Sequence, residues 1–304
     1  MDRDKWLAER RSGIGGSDAA AALGLSRYRS PYQLWLEKRG QLAETPDNWS
    51  MRWGRALEAD LRQHYSDITG RSVFLASGTG IVRHPTIPWM LCTPDGGTDD
   101  KRLLEIKTSR SNEGWGEPGT DQVPEHYLLQ VQHSLIVTGF VVADVVLGVY
   151  GVEPAIYHVE ADPELHEAII DGEREFWRYV ESGEPPQIQT YADVVARYGR
   201  RSVANAIMAD QQINSTLQQL LGLRATMKEL ESLEETAKAD VMKYLADNDT
   251  LVDGNGNVLC TWKQAKAGEK FDIKTFRARH PDLYVQFLTA GEPNRRFLLK
   301  DMKP

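Results

Sequence analysis

The spacing of apolar residues changes period several times along the chain, and each change predicts an element. Trp53, Leu57, Leu61 and Tyr65 recur every fourth residue within 51–68, and Gly70 stands as a stop, so this stretch predicts a long amphipathic helix. Ser30 before Pro31 has the chemistry of a helix start and predicts a helix that carries Leu34, Trp35 and Leu36 to Gly40. Residues 72–82 and 89–93 are strand-like, and 103–108 is a short apolar run bounded by polar residues, the pattern of a buried strand. Val123-Pro124 opens a helix that runs through Val137. Residues 144–150 and 155–159 predict a hairpin around Gly151, and 163–180 a closing amphipathic helix.

Gly183-Glu184-Pro185-Pro186 is the clearest linker signal, and it separates a domain of residues 1–185 from an extension of residues 186–304. Residues 202–248 hold no proline and one glycine, Gly222, and an apolar stripe passes through Val203, Ile207, Leu220, Leu230 and Val241. This predicts one long helix or a helical hairpin broken near Gly222. Beyond it, 253–257 read as a turn, 258–263 as a strand, 273–278 as a short helix and 295–300 as a final strand, so the extension is helical and ends in a small β element.

Composition narrows the partners. Hydrophobic residues at 41% and charged residues at 26% of 304 are ordinary globular values. No apolar run approaches the roughly 18 residues of a membrane span, and the first residues lead into no signal-peptide core, so a soluble, intracellular protein is expected. Cys92 and Cys260 lie far apart and form no CxxC pair, which indicates neither a disulfide framework nor an iron–sulfur cluster. The net charge of −8 argues against wholesale coating of nucleic acid. It is unevenly spread: from Lys263 to the end there are ten Lys and Arg against five Asp and Glu, so that segment is +5 and the remainder −13. A DNA partner would meet local patches and a metal site, because an acidic exterior repels phosphates.

The candidate chemistry is concentrated in Pro94-Asp95-Gly96-Gly97 and Leu104-Glu105-Ile106-Lys107. On a strand, Glu105 and Lys107 project to one side while Ile106 enters the core. Asp95 reaches that side from a neighbouring strand if residues 96–101 turn back as a hairpin, for which Asp95-Gly96-Gly97 and Asp99-Asp100 supply good turn chemistry. Two carboxylates and an ammonium then form a hard-oxygen site suited to Mg²⁺, with a lysine to hold or polarise a water, the parts needed for phosphodiester hydrolysis. The ordinary alternative is a surface hairpin with an ion pair, and the company the motif keeps weighs against it.

That company begins at the N-terminus. Arg10-Arg11-Ser12-Gly13-Ile14-Gly15-Gly16-Ser17-Asp18 precedes an alanine-rich helix, with Ser17 or Asp18 as cap. A glycine-flanked helix start binds anions, and Arg10 or Arg11 adds a charge-assisted contact to a phosphate. Glu58 lies on the edge of the 51–68 stripe, either solvated or aimed into a cleft. Tyr127 and Gln130, three apart on a helix, point together toward one site or cap a core. The loop holding Gly114, Gly116, Pro118 and Gly119 precedes that helix, and loops of such length beside a site are often functional.

With these residues the chain resembles the YqaJ-type viral recombinases, the phage alkaline exonucleases of the lambda exonuclease family within the PD-(D/E)xK nuclease superfamily. The resemblance covers roughly residues 6–180. It rests on five elements in order: Ile14-Gly15-Gly16-Ser17-Asp18, Trp53-Gly54-Arg55 ahead of Glu58, Pro94-Asp95-Gly96, Leu104-Glu105-Ile106-Lys107, and Gln130-Val131-Gln132-His133-Ser134. It implies an α/β fold with a mixed sheet flanked by helices, and an Mg²⁺-dependent 5′-to-3′ exonuclease for which Mn²⁺ substitutes. By the same resemblance Asp95 and Glu105 ligate the metal, Glu58 supports it, Lys107 positions the water, and Tyr127 and Gln130 stand beside the reacting centre. Arg10 and Ser17 match the pocket for a DNA 5′-phosphate, with Arg11 as the alternative.

The partners it implies are double-stranded DNA ends and a single-strand annealing protein that receives the 3′ tail for phage recombination. It further implies a ring-shaped homo-oligomer, a trimer or a tetramer, in the cytoplasm of a bacterial host. Two rival functions remain: a structure-specific or single-strand endonuclease on the same core, and a non-catalytic DNA-end-binding protein.

Overall fold

The two faces of a five-stranded sheet take apolar residues of the helices Trp49–Thr69 and Glu125–Thr138, while those of the helix Pro31–Lys38 pack with the helices Ala19–Ala22 and Pro163–Ser182. In the structure, a computed structural model that describes residues 3–42, 48–200, 202–266, 268–289, 291 and 294–300, the first unit spans residues 1–199. It opens with α1 (Arg3–Arg11), a 3₁₀ turn (Gly16–Asp18), α2 (Ala19–Ala22), α3 (Pro31–Lys38) and α4 (Trp49–Thr69). Strands β1 (Val73–Phe74), β2 (Val82–Arg83), β3 (Leu91–Cys92), β4 (Gly96–Thr98) and β5 (Arg102–Ser109) follow. Then come α5 (Glu125–Thr138), the pair β6 (Val142–Val149) and β7 (Ala155–Glu160), α6 (Pro163–Ser182) and α7 (Tyr191–Tyr198).

The sheet order is β1-β4-β5-β6-β7. The β5–β6 pair is parallel and the other pairs are antiparallel, as α5 demands by crossing over between β5 and β6. Alternation along the strands sorts the core. Leu104, Ile106 and Val146 meet Leu61 and Tyr65 of α4 on one face. Leu103, Val145 and Leu147 meet Val131 and Leu135 of α5 on the other. A mixed sheet flanked by helices is thus the fold expected from the sequence.

Several elements differ in detail. The 72–82 stretch forms two short strands, β1 and β2, that join different sheets. Helices α1 and α7 were not expected. The Gly183–Pro186 stretch lies inside the first unit, because Asp193 of α7 accepts a hydrogen bond from Ser30 Oγ at 2.6 Å and fastens α7 to the start of α3.

The second unit, residues 200–304, holds α8 (Gln211–Leu245), β8 (Thr250–Val252), β9 (Val258–Thr261), α9 (Ile273–Arg279) and α10 (Pro281–Gln286). Helix α8 is continuous through Gly222, and its start is fixed by Asp210, whose side chain accepts from Ile213 N at 2.8 Å. Strand β9 falls within the expected 258–263 strand and pairs antiparallel across the expected 253–257 turn with β8, which was not expected. The expected final strand is not formed: residues 295–300 enter no ladder among the described residues. The basic tail's last residues, 301–304, lie outside the described residues.

Three strands and α4 are tied together by one carboxylate. Asp144 of β6, with no exposed surface, accepts Tyr65 Oη at 2.5 Å, Arg102 Nε at 2.8 Å and Arg102 Nη2 at 2.7 Å, and faces His158 Nδ1 at 2.6 Å. Burial pushes its carboxyl up, but Arg102, Tyr65 and His158 outweigh this and hold it below the ordinary range. Replacing Asp144 by Ala should strand these partners and lower the unfolding free energy by about 3–5 kcal/mol, read from urea denaturation. Tyr65→Phe should cost about 1 kcal/mol in the same assay.

Candidate active site

The β4–β5 hairpin brings the two halves of the acidic motif together. Its register sets Gly96 opposite Leu104 and Gly97 opposite Leu103, so Asp95, one residue before β4, falls level with 105–106. Its Oδ2 accepts the Ile106 N–H at 2.7 Å. A Cβ at Gly96 would lie 2.6 Å from Val73 Cγ1, so a side chain there would push the hairpin off β1. Across β5, Glu105 and Lys107 share the face that α5 covers. Lys107 Nζ donates to Glu105 Oε1 at 2.5 Å and to Gln130 Oε1 at 3.1 Å, while Gln130 Nε2 donates to the same Glu105 oxygen at 2.5 Å. The Tyr127 ring lies 4.9 Å from Lys107 Nζ. Trp115, from the loop before α5, packs on Tyr127 and Tyr157 and so holds that loop beside the site.

Negative charge exceeds positive here. Burial first, then Glu105, pushes the Asp95 carboxyl up to about 8, with Glu58 adding to the rise and Lys107 and the Ile106 N–H opposing it. Burial alone would lower Lys107, yet Glu105 and Asp95 more than offset it and raise the ammonium above the ordinary lysine range. The Cys92 thiol, pushed up to about 12 by burial and then by Glu105, is held protonated and unreactive.

Glu58 and Asp95 both line a cleft of about 750 Å³. Between them stands Arg62, which donates to Glu58 Oε1 at 2.6 Å and to the Asp95 backbone oxygen at 2.9 Å. Each carboxylate therefore has a protein donor of its own: Glu58 has Arg62, Asp95 the Ile106 N–H, and Glu105 Lys107 and Gln130. Among the described residues no three acidic, His or Cys side chains are gathered as a ready-made metal cage. The donor set nevertheless fits a hard divalent cation, because Asp95 and Glu105 offer oxygen ligands on adjoining strands in a spot whose excess negative charge a cation would relieve.

The cleft's other end is lined by Arg10 and Arg11, which lead into the glycine-rich motif. Ile14 joins β3 through Ile14 N to Trp89 O at 2.7 Å and Leu91 N to Ile14 O at 3.0 Å. At Gly16 a Cβ would sit 2.8 Å from Ser134 Oγ and 3.1 Å from the Gln130 carbonyl, so only glycine lets this turn lie against α5. Neither Ser17 nor Asp18 caps α2 with its side chain. Ser17 instead accepts Arg10 Nη2 at 2.7 Å, and Asp18 turns inward, where its Oδ2 accepts the Gly15 N–H at 3.1 Å. The helix that follows has four residues, so the anion-attracting charge at this end comes from side chains rather than a macrodipole. Arg10, Arg11 and Arg29 all line the cleft.

The structure thus gathers Asp95, Glu105, Lys107, Gln130 and Tyr127 into one cluster, sets Glu58 across Arg62 from it, and puts Arg10, Arg11 and Ser17 at the motif end. Sequence reasoning missed Arg62, Arg29 and Lys38. The i,i+4 spacing of Glu58 and Arg62 was a readable signal, whereas Arg29 and Lys38 reach Asp18 through tertiary packing that no spacing announces.

Residues 5–141 match the family model of the YqaJ-like viral recombinase domain. The chain is similar to the uncharacterized protein YqaJ of Bacillus subtilis, with 30% identity over 99% of this chain and 95% of that one. It is also similar to the crystal structure of the alkaline exonuclease LHK-Exo from Laribacter hongkongensis, with a TM-score of 0.51 and 25% identity over 59% of this chain and 93% of that chain. A second structure of that exonuclease, in complex with dAMP, matches equally. The chain belongs to the YqaJ-like viral recombinase family.

The crowding at Asp95 has a measurable consequence for stability. The folded carboxyl keeps its proton to about pH 8, whereas the unfolded one releases it near the ordinary 3.8. Between those values the folded state binds more protons, so stability falls as pH rises. In chelator, Asp95→Asn should therefore melt higher than the parent, with a gap that widens from pH 5 to pH 8 and is level above it. A gap independent of pH would refute the crowding.

Proposed function

We propose that this family member is an Mg²⁺-dependent 5′-to-3′ exonuclease acting on the ends of double-stranded DNA. The observation that carries the reading is the β4–β5 hairpin, which holds Asp95 on the Ile106 N–H beside the hydrogen-bonded trio of Glu105, Lys107 and Gln130, with Asp95 also lining a cleft shared by Arg10, Arg11 and Arg29. The alkaline exonuclease activity named for the Laribacter protein supports it. Asp95 and Glu105 would hold the metal, with Glu58 in support. When bound, a divalent cation polarises a phosphoryl oxygen and makes a water more acidic.

The side chains divide the remaining tasks. Lys107, with two of its three donors engaged by Glu105 and Gln130, keeps the third to orient a water or a phosphate oxygen. Gln130 fixes the rotamers of Glu105 and Lys107 together. Tyr127 shields the ammonium from solvent on one side. A terminal 5′-phosphate held at the Arg10 end would set the next phosphodiesters toward Asp95 and fix the direction of digestion. The product, a 3′ single-stranded tail, is the substrate of strand annealing in phage recombination, and a ring-shaped homo-oligomer around the duplex would keep the enzyme on its track.

Asp95→Ala and Glu105→Ala should reduce cleavage of linear duplex to background in Mg²⁺ or Mn²⁺ while gel-shift binding of the duplex persists. Lys107→Ala should be equally inactive. Wild-type rates in any of the three would sink the assignment, and digestion of a covalently closed plasmid would convert the exonuclease into an endonuclease. On polarity, a 5′-phosphorylated duplex should be degraded faster than its 5′-hydroxyl counterpart, and Arg10→Ala should narrow the gap about tenfold, as loss of one charge-assisted hydrogen bond does. Equal wild-type rates on the two substrates would remove the cleft end from the mechanism.

A further inference from the structure

One fully buried carboxylate organises the motif end of the cleft. Asp18 Oδ1 receives Arg29 Nη2 at 2.6 Å and faces Arg10 Nη2 at 3.4 Å, while Oδ2 receives Lys38 Nζ at 2.7 Å. Lys38, whose side chain is also fully buried, donates to the Arg10 backbone oxygen at 3.1 Å and so ties α3 to the end of α1. The Asp18–Lys38 pair closes in the core, and the remaining oxygen holds two guanidiniums side by side. These two keep 29% and 23% of their side-chain surface and line the cleft. Glu37 clamps Arg29 from its other nitrogen, and Trp6 lies under Arg10 with the guanidinium carbon 5.2 Å from the ring centre.

We infer that Arg29 is a second phosphate-binding residue beside Arg10, and that Asp18 is the positioning residue that aims both guanidiniums at a terminal phosphate monoester. The inference rests on the reading of the cleft as the receiver of a DNA 5′ end. Two adjacent guanidiniums repel one another unless a counter-charge stands behind them, and Asp18 is that counter-charge. Burial would raise its carboxyl, but Lys38, Arg10 and Arg29 hold it well below the ordinary range, so it is ionised when DNA arrives. A phosphate monoester carries about −1.5 to −2 at pH 7 against −1 for a diester, which suits two planar forks with N–H donors to spare. A 5′-hydroxyl end offers those spare donors no phosphate. Selectivity for the phosphorylated end then belongs to the pair and not to Arg10 alone.

The test is the ratio of kcat/KM on 5′-phosphorylated and 5′-hydroxyl duplexes of one sequence. Arg29→Ala should lower this ratio about tenfold, the worth of a charge-assisted hydrogen bond, and Arg29→Lys, which keeps the charge without the fork, should restore part of it. Asp18→Asn alone would leave Lys38 buried without its partner and risks unfolding, so Asp18 is tested as Asp18→Asn with Lys38→Met, which removes both core charges together. That folded double variant, with Arg10 and Arg29 intact, should also lose the preference. A wild-type ratio of one would overturn the reading of the cleft itself. A preferring wild type whose Arg29→Ala and double variants keep the full ratio, or lose rate equally on both duplexes, would leave that reading standing and overturn the roles of Arg29 and Asp18.

Discussion

The first unit depends on how β5 handles a glutamate and a lysine on its buried side. Glu105 is 3% exposed, and a lone carboxylate there would carry a large desolvation penalty. It is tolerated because Lys107, two residues on, projects from the same side of the pleat, and because Gln130 descends from α5 to bond both. The hairpin then adds Asp95 to a neighbourhood already balanced, and burial, then the Glu105 charge, pushes its carboxyl up to about 8. Negative charge in excess of its cations destabilises a fold and suits a metal site.

Helix α5 links the two ends of the cleft. One face supplies Tyr127 and Gln130. Another admits the Gly16 turn, close enough that a methyl group would collide with Ser134. Within the core, His133 Nε2 donates to the Leu91 oxygen at 2.9 Å and Nδ1 lies 2.7 Å from Glu173 of α6, with His133 and Glu173 fully buried. The helix is therefore fixed to β3, α6 and the glycine motif together. Rotating it would shift Gln130 against Glu105 and Ser134 against Gly16 at once, which couples the acidic end of the cleft to the arginine-lined end.

Charge within the first unit is local, in keeping with the acidity of the chain as a whole. Arg10, Arg11, Arg29, Arg55 and Arg62 line the same cleft as Glu37, Glu58 and Asp95. An anionic polymer is steered by such a field only at short range, since surface charges are screened beyond about 10 Å at 0.1 M salt. Recognition of an end, which brings one terminal group deep among the arginines, gains more from this arrangement than recognition of a continuous backbone does.

The chain's own pattern determined the elements and the acidic motif. The four-residue recurrence of Trp53 to Tyr65, the apolar run at 103–108 and the proline at the start of α5 each express a local rule, and α4, β5 and α5 follow them. The hairpin that sets Asp95 against Glu105 was equally legible, since turn chemistry and strand alternation act within a dozen residues. Long-range contacts decided the rest. Asp18 looked like a helix cap and became a buried counter-charge, because Arg29 and Lys38 reach it from α3 and its approach. The sequence left open one long helix or a hairpin broken near Gly222, and α8 is continuous there, a single glycine costing about 1 kcal/mol against the turns on either side. The basic stretch at 295–300 reads as a strand in sequence and enters no ladder among the described residues, since pairing, which lies in no sequence window, is what makes a strand.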